Sequence, residues 1–185
     1  MGLLASVFFD KEAGAKIVHD PRVVWNPQDI VTEKSGVAVQ SKTGHAFIKQ
    51  TMRANGAVYG GKMSAHHYFR DFAYCDSGMI PWPLMAELIS RSGKSLGDLV
   101  TDCFRNFPSS GEQNFIVSDP DKVIATIPVK YGDTAELDDM DGVSLSFPAW
   151  RFNLRKSNTE PLIRLNVEAR GEQAGLEQKI NDLKK

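Results

Sequence analysis

The chain has 185 residues, of which 42% are hydrophobic and 24% charged, which is typical of a globular protein with one large domain or two small ones. Its formal net charge of -1 argues against a nucleic-acid partner. Because no apolar run approaches the roughly 20 residues of a membrane helix, we expect no membrane partner either. The two cysteines, Cys75 and Cys103, form no disulfide framework, which indicates a cytoplasmic location.

The first residues have the pattern of a helix that lacks its beginning. Leu3, Leu4, Val7 and Phe8 fall at helical spacing, but no capping residue precedes them. We therefore expect that the chain is a piece of a longer protein. A natural short N-terminus is the alternative.

The first half of the chain alternates apolar runs with helical patterns. Strands are predicted at 15–19, 37–40 and 57–59, and helices at 26–34, 46–54, 79–91 and from Ser95 onwards. The last of these helices is expected to turn Leu96, Leu99, Val100 and Cys103 inwards. Strand, polar turn and helix in repetition predict an α/β domain, a mainly parallel mixed sheet with flanking helices. The turn-forming segment 106–112 predicts a boundary, so that this domain covers residues 1–106.

The second half of the chain has a different pattern of apolar residues, with several short alternating segments. A strand is predicted at 114–118, a helix at 120–127 ended by Pro128, alternating strands at 142–147, 150–154 and 162–169, and a final helix with Leu176, Ile180 and Leu183 on one stripe. These elements predict a small α+β domain over residues 107–185, an antiparallel sheet with two helices. One face of that sheet is expected to be covered.

Residues 60–69, which read GGKMSAHHYF, are the most unusual segment. Paired glycines beside polar and aromatic residues are interpreted as incompatible with a regular strand or a buried helix, and the glycine pair lets the backbone take positive φ and lie close to a neighbour. Lys62, Ser64 and His66 would then lie on a loop at the carboxyl end of a strand, where ligands of open α/β sheets bind. A solvated surface loop is the alternative.

Two earlier polar turns are expected at the same edge of the sheet. HDPR at 19–22 presents Arg22 after the first predicted strand, and SKTGH at 41–45 presents His45 after the second. Together with residues 62–66 they would face a common cleft, although they are far apart in sequence.

A second polar loop, RKSNTEP at 155–161, lies between the last two predicted strands. Arg155 can donate a forked pair of charge-assisted hydrogen bonds. Ser157 and Thr159 contribute hydroxyls, Asn158 contributes an amide, and a tight turn can direct backbone N–H groups at an anion. This content suits a phosphate. A polar hairpin connection is the alternative.

These segments together resemble those of the α-D-phosphohexomutase family. RKSNTEP resembles the family's phosphate-binding loop, and GGKMSAHHYF resembles its sugar-specificity loop, usually written GEMS with a following histidine. SKTGHAFIK and HDPR are similar to two other cleft segments, and the resemblance covers essentially all 185 residues. Of the family's four domains, the chain resembles only the third and fourth. The segment HHYFRDFAYCDSGMIPW is most similar to the corresponding segment of the bacterial phosphomannomutases that supply GDP-mannose for polysaccharides.

The resemblance implies that the substrate is a hexose phosphate. The phosphate group that is not transferred would be held by Arg155, Ser157, Asn158 and Thr159. The vicinal hydroxyls of the hexose would be bound by Lys62 and Ser64, and His66 would support their loop. Arg22 and His45 would line the cleft near the reacting end as catalytic residues. His45 is a candidate for proton transfer with the sugar hydroxyl, and a loop-fixing donor is the equal alternative.

The resemblance also implies an isomerase reaction, the interconversion of mannose 6-phosphate and mannose 1-phosphate. A phosphoserine in the first domain gives its phosphoryl group to the sugar, a bisphosphate turns over, and Mg²⁺ held by an aspartate-rich loop of the second domain assists. Neither loop occurs here, since the acidic run at 138–141 is interpreted as a solvated turn. We therefore expect that this chain holds no metal or cofactor and is inactive alone. Its expected partners are the missing N-terminal domains of the same protein.

Position 62 departs from the family pattern, because it holds lysine instead of glutamate. A carboxylate accepts hydrogen bonds from two adjacent hydroxyls, whereas an ammonium only donates. The change adds two units of positive charge beside a sugar phosphate, so we expect weaker discrimination between mannose and glucose epimers, or loss of activity. A phosphoglucomutase or bifunctional mutase, and a non-catalytic sugar-phosphate-binding fragment, are the alternative functions.

Overall fold

The structure of the chain is a computed structural model that describes residues 1–157, 160–171 and 173–184. The chain divides into two compact units, Met1–Asp102 and Cys103–Lys185. Each unit is built around its own five-stranded sheet. Within the described ranges, no helix is both long and apolar enough to cross a membrane.

The first unit is an α/β fold around a mixed sheet. Its elements are α1 (Gly2–Phe9), β1 (Lys16–His19), α2 (Trp25–Glu33), β2 (Val37–Gln40), α3 (His45–Asn55), β3 (Tyr59–Gly61), β4 (His67–Phe69), β5 (Cys75–Asp76) and α4 (Pro81–Ser92). The helix α5 (Leu96–Asn106) begins in this unit and crosses its boundary after Asp102. The strand order is β2-β1-β3-β4-β5. β1 pairs in parallel with β2 and β3, whereas β4 is antiparallel to β3 and β5. The predicted mixed sheet with flanking helices is therefore confirmed.

Apolar residues pack on both faces of this sheet. One cluster joins α1 and α2 to the strands through Leu4, Phe9, Ile17, Val31 and Tyr59. Another joins α3 to the strands through Val18, Ile48, Met52 and Tyr68. Ile17 and Val18 are adjacent in β1, so their side chains point to opposite faces, and both are fully buried. This burial explains why the central strand is an apolar run and does not alternate.

The glycine pair at 60–61 lies inside β3 and not in a loop, and neither glycine has positive φ. The prediction that these glycines are not part of a regular strand was wrong, because the pair is held between β1 and β4, which requires extended backbone. The expected close approach to a neighbour does occur, since a Cβ at position 60 would lie 2.6 Å from the Met52 Sδ. Because His67–Phe69 forms β4, the segment 60–69 is a hairpin with the loop 62–66, in which Ala65 takes a φ of 60°.

The second unit is an antiparallel sheet with helices, as the sequence predicted. Its elements are β6 (Ser109–Ile116), α6 (Pro120–Tyr131), β7 (Glu136–Asp138), β8 (Val143–Ser146), β9 (Trp150–Lys156), β10 (Leu162–Ala169) and α7 (Gln173–Leu183). The strand order is β6-β10-β9-β8-β7, and every neighbouring pair is antiparallel.

Several details differ from the sequence predictions. β6 begins at Ser109, inside the segment predicted as a turn, because its pairing with β10 overrides the local preference of turn-forming residues. α6 continues through Pro128, because Ile124 and Ile127 pack against the apolar core and offset the hydrogen bond that proline cannot donate. The short strand β7 had no predicted counterpart. In the first unit, Leu96 was predicted to face inwards but is 45% exposed.

The two faces of the second sheet have opposite character. Leu145, Phe152 and Val167 are fully buried in the apolar cluster that α6 and α7 join. The opposite face is polar, and several of its residues are nevertheless buried: Ser144, Arg151, Asn153, Arg155, Asn166 and Glu168. Arg151 Nη1 donates to Glu168 Oε1 at 2.8 Å. This alternation of apolar and polar side chains positions the charged groups of the second unit.

Candidate functional site

The polar turns of the first unit follow the carboxyl ends of neighbouring parallel strands. Arg22 follows β1, His45 is the first residue of α3 after β2, and the loop 62–66 follows β3. Because β1 lies between β2 and β3 and all three run in parallel, these ends share one edge of the sheet. The structure therefore brings Arg22, His45 and the loop that carries Lys62, Ser64 and His66 to one place.

A buried carboxylate, Asp20, ties the first turn to this loop. Its Oδ1 accepts from the Arg22 backbone N–H at 3.1 Å, and its Oδ2 accepts from Arg22 Nε at 3.0 Å and also from Arg22 Nη2. Oδ2 also accepts from the backbone N–H of Met63 at 3.1 Å. Arg22 Nη2 in turn lies 3.4 Å from Ser64 Oγ. Asp20 thereby fixes the guanidinium of Arg22 beside the hydroxyl of Ser64.

His45 is oriented by a tyrosine of the hairpin. The Tyr68 hydroxyl lies 2.8 Å from His45 Nδ1, and because a hydroxyl both donates and accepts, this contact suits either tautomer of the imidazole. Burial of part of the ring, followed by the charges of Lys62 and His66, lowers the pKa of His45. The imidazole is therefore neutral at neutral pH, and Nε2 is the ring atom that Tyr68 leaves available.

Asp76 in β5 anchors the other end of the loop. Its Oδ2 lies 2.6 Å from His66 Nδ1, and its Oδ1 accepts from the His67 backbone N–H at 2.9 Å. Burial opposes ionisation of this carboxyl, but the hydrogen bonds from His66 and His67 outweigh it and lower the pKa of Asp76. Asp76 therefore remains a carboxylate and holds the His66 ring, whose centroid lies 4.6 Å from that of His45.

Lys62 begins the loop and is only 7% exposed. Its backbone N–H donates to the His66 carbonyl at 3.0 Å, and its carbonyl accepts from the Ala65 N–H at 3.1 Å, which closes the hairpin. Its ammonium is close enough to His45 to lower the pKa of that imidazole. The lysine therefore places a cation at the edge of the sheet where the family pattern has a carboxylate.

In the second unit, the predicted phosphate loop joins β9 to β10. Arg155 and Ser157 are both buried, with 8% and 4% exposure. Arg155 Nη2 donates to Glu112 Oε2 of β6 at 2.9 Å. Asn158 and Thr159, the other two predicted phosphate ligands, lie outside the described residues.

A second arginine, Arg164 of β10, shares this position. It is the cross-strand partner of Arg155, and Glu112 bridges the two, since Glu112 Oε1 accepts from Arg164 Nη1 at 3.1 Å. Arg164 Nη2 also donates to Ser157 Oγ at 3.3 Å. The same Nη2 also pairs with Glu160 Oε2 at 3.2 Å, so two guanidinium groups and two carboxylates, those of Glu112 and Glu160, surround the hydroxyl of Ser157. Guanidinium groups beside a hydroxyl are donors that suit an anion.

Both units match the same protein family. The phosphoglucomutase/phosphomannomutase alpha/beta/alpha domain III matches residues 1–107, and the C-terminal domain of that family matches residues 112–183. The chain belongs to the phosphoglucomutase/phosphomannomutase family. The resemblance seen in the four polar segments is therefore confirmed.

Individual relatives and structures agree with this assignment. A phosphomannomutase from Salmonella montevideo is 58% identical over 173 residues, which are 93% of this chain and 38% of the relative. A protein from Xanthomonas campestris pv. campestris (strain B100) named phosphohexose mutases is 56% identical over 99% of this chain and 41% of its own length. The crystal structure of a phosphoglucomutase/phosphomannomutase family protein from Burkholderia thailandensis matches with a TM-score of 0.81 and 29% identity, covering 99% of this chain and 39% of that chain. The chain thus spans about two fifths of the length of the curated relatives it matches.

The family resemblance implies a Mg²⁺ held by another domain, outside this chain. Mg²⁺ prefers six oxygen ligands in octahedral geometry. Within the described part of the chain, the one group of three side chains that could hold a metal combines two imidazoles with a carboxylate, namely His45, His66 and Asp76. In the acidic run 138–141, Asp138 Oδ1 accepts from the Met140 N–H at 2.9 Å, which is a local turn contact.

Four residues that hold the predicted site residues in place were not predicted from the sequence: Asp20, Asp76, Glu112 and Arg164. Asp20 carried a usable signal, because an acid in a tight turn two positions before an arginine can accept its hydrogen bonds. Arg164 could have been found from the alternation of β10 once the register with β9 was known. Asp76 and Glu112 carried no signal, because their contacts with His66 and Arg155 span 10 and 43 residues of sequence.

Proposed function

We propose that the chain is the C-terminal half of a phosphomannomutase, in which it recognises a hexose phosphate. The observation that carries this proposal is the convergence of Arg22, His45, Lys62 and Ser64 at one edge of the first sheet, with Arg22 in contact with a serine 42 residues away. The whole protein would interconvert mannose 6-phosphate and mannose 1-phosphate. Relatives named phosphomannomutase at 50% to 58% identity support mannose as the sugar.

The first unit would recognise the hydroxyl groups of the sugar. Ser64 Oγ lies beside the guanidinium of Arg22 and can both donate to and accept from a sugar hydroxyl. Lys62 can only donate, so its ammonium would contact hydroxyl oxygens as acceptors. His66, which Asp76 holds, would support the loop between these two residues.

The second unit would hold the phosphate group that is not transferred. Arg155 and Arg164 present guanidinium groups on either side of Glu112, and Ser157 presents a hydroxyl next to Arg164. Charge-assisted hydrogen bonds from arginine to phosphate are among the strongest in proteins and are often forked. Asn158 and Thr159 would complete this set, as the family resemblance implies.

His45 and Arg22 would act at the reacting end of the sugar. Tyr68 occupies His45 Nδ1, so Nε2 would take the proton from the attacking sugar hydroxyl and return it in the reverse direction. Arg22, held by Asp20, would stabilise the negative charge of the phosphoryl group in transit.

The remaining chemistry would belong to N-terminal domains of the longer protein, the partner of this chain. Those domains would carry the phosphoserine and the Mg²⁺, and Mg²⁺ neutralises charge on the phosphoryl group when bound. What the present chain would contribute is binding and orientation of the substrate, which supply a large part of the acceleration in phosphoryl transfer.

Isothermal titration calorimetry of the chain with mannose 1-phosphate, mannose 6-phosphate and inorganic phosphate tests the proposal. We expect saturable binding of both sugar phosphates. Arg155→Ala should weaken it about 10- to 100-fold, because hydrogen bonds to charged groups contribute about 1.5–3 kcal/mol.

The matched control is Lys156→Ala, which removes a positive charge from the next residue. Lys156 Nζ pairs with the exposed Asp121 at 2.7 Å and should not contribute to binding. No heat with either sugar phosphate, or equal weakening by both variants, would refute the proposal.

A second candidate function is a mutase that accepts both mannose and glucose phosphates. The observation that favours it is Lys62, which lacks the paired acceptors that a glutamate would offer to adjacent hydroxyls. The relative named phosphohexose mutases, at 56% identity, is consistent with a wider substrate range. Rates of the whole protein with both sugars separate the two candidates.

A further inference from the structure

His45, His66 and Asp76 form a cluster whose chemistry goes beyond sugar recognition. One candidate ligand atom from each residue lies within 4.8 Å of the other two. His45 begins α3, His66 ends the loop 62–66 and Asp76 belongs to β5, so three separate elements contribute one side chain each. No metal was expected in this chain from its sequence, and the cluster forms because the hairpin 60–69 folds onto the edge of the sheet.

The chemistry of the cluster matches a borderline transition-metal ion. Two imidazoles and one carboxylate, with open positions left for water, form a donor set that suits Zn²⁺ and related ions. Zinc bonds to nitrogen and oxygen are about 2.0–2.2 Å long, so in tetrahedral geometry the ligand atoms of one ion lie about 3.5 Å apart. Binding would draw the ligand atoms, which lie within 4.8 Å of one another, closer by up to about 1.5 Å. The ion would also replace the 2.6 Å hydrogen bond between His66 Nδ1 and Asp76 Oδ2. The side chains of His66 and Asp76 are 40% and 29% exposed, which leaves room for that movement.

Neighbouring groups already hold two of the three ligands. The Tyr68 hydroxyl lies 2.8 Å from His45 Nδ1, which leaves Nε2 for an ion. The His67 backbone N–H donates to Asp76 Oδ1 at 2.9 Å, which leaves Oδ2 on the side of His66. Hydrogen bonds of this kind orient the ligands of metal sites and increase their affinity.

Lys62 opposes a cation at this place. Its ammonium is close enough to His45 to disfavour the protonated imidazole, and it would repel a metal ion at the same position. We therefore expect the affinity of the cluster for a metal to depend on the charge of residue 62. This dependence distinguishes a metal at this cluster from one bound elsewhere on the chain.

We propose that His45, His66 and Asp76 bind a divalent transition-metal ion, with Zn²⁺ the best match, at the sugar-recognition edge of the first unit. In the proposed function, His45 and His66 also serve the hexose phosphate, so the ion and the sugar phosphate would exclude each other. The metal would then inhibit the protein and would not assist its chemistry. This inhibition, unlike the metal site itself, rests on the proposed function.

Titration of the chain with Co²⁺, followed by visible absorption, measures the site without an activity assay. We expect one-to-one binding with the spectrum of nitrogen- and oxygen-ligated Co²⁺, displacement by Zn²⁺, and no displacement by excess Mg²⁺. Asp76→Asn and His66→Ala should each weaken binding about tenfold or more. Lys62→Glu should strengthen it several-fold.

The matched control is Asp71→Asn, the same change at a side chain that is 91% exposed, and it should leave the affinity unchanged. Circular dichroism establishes that each variant is folded, and Lys62→Glu gives a gain of affinity that no loss of folding can mimic. No saturable Co²⁺ spectrum, or equal affinities of Asp76→Asn and Asp71→Asn, would overturn the metal site.

Addition of mannose 1-phosphate to the Co²⁺-loaded chain tests the exclusion. Release of the ion supports it, and an unchanged spectrum at saturating sugar phosphate overturns it. A chain that binds Co²⁺ at this cluster but shows no calorimetric binding of any sugar phosphate would refute the proposed function and leave the metal site standing.

Discussion

Lys62 places a positive charge where a carboxylate would accept hydrogen bonds from two adjacent sugar hydroxyls. The two epimers differ in the direction of one hydroxyl, and a pair of acceptors in fixed positions can read that direction. A single ammonium on a flexible stem donates to either arrangement. Under the proposed function, the residue at position 62 would therefore decide how strictly the first unit discriminates between mannose and glucose phosphates.

The first prediction concerns Lys62→Glu in the whole protein. The variant should favour mannose 1-phosphate over glucose 1-phosphate more strongly than the lysine form does, by about 10- to 100-fold, because a hydrogen bond to a charged group contributes about 1.5–3 kcal/mol. The measurement is kcat/KM with each sugar. Lys16→Glu is the control, since it makes the same charge change at the exposed first residue of β1, at the opposite end of that strand from the site. Equal rates and equal preference in the unmodified protein and the Lys62→Glu variant would contradict the prediction.

The hairpin of β9 and β10 carries two charge clusters on its polar face. Near its open end, Arg151 pairs with Glu168 at 2.8 Å, with side chains 3% and 1% exposed. Near its loop, Arg155 and Arg164 share Glu112. The first cluster is a fully buried pair, whereas the second is partly exposed and also includes Glu160, which pairs with Arg164 at 3.2 Å. The same strands therefore combine a structural ion pair with the proposed phosphate site.

The second prediction concerns the structural pair. Glu168→Ala leaves the charge of Arg151 in a buried position without its carboxylate, and should lower the free energy of unfolding of the second unit by about 3–5 kcal/mol. Hydrogen exchange of the β9 and β10 amides is the right measurement, because two units need not unfold in a single transition.

A double variant provides the control for this prediction. Arg151→Met combined with Glu168→Leu removes both charges and keeps similar volumes, and it should cost much less than the single change. If the single and double variants lose the same stability, the ion pair does not have the role argued for it.

The first unit has two apolar clusters and the second unit has one, and the proposed binding groups lie in both units. The third prediction is that this chain alone does not convert mannose 1-phosphate to mannose 6-phosphate, because the phosphoserine and metal loops of the family do not occur in its sequence. Phosphorus NMR of the chain with either sugar phosphate and an activating bisphosphate measures the conversion.

Addition of the N-terminal domains of a related phosphomannomutase should restore turnover with the unmodified chain and not with its Arg155→Ala variant. Turnover by the isolated chain would contradict the third prediction. If turnover is restored equally with the unmodified chain and with the Arg155→Ala variant, Arg155 does not bind the phosphate group as proposed.

Local patterns were sufficient for the order of elements and for most of their types. The alternation in 162–169 predicted β10, and the apolar stripe of Leu176 and Ile180 predicted α7, because periodicity reflects which face of an element is buried. The sequence also predicted that the polar turns gather at one edge of the first sheet, since turns after parallel strands open on the same edge. The structure places the turns that carry Arg22, His45 and Ser64 at that edge.

Tertiary contacts decided what no local pattern encodes. The glycine pair at 60–61 is strand because β1 and β4 flank it, and α6 passes through Pro128 because its apolar side chains pack on the sheet. The carboxylates of Asp76 and Glu112 reach His66 and Arg155 only through sheet register. The sequence by itself determined which chemical groups this protein offers. Only the fold decided which of them meet, because hydrogen bonds and charges act over a few ångströms of space and not along the chain.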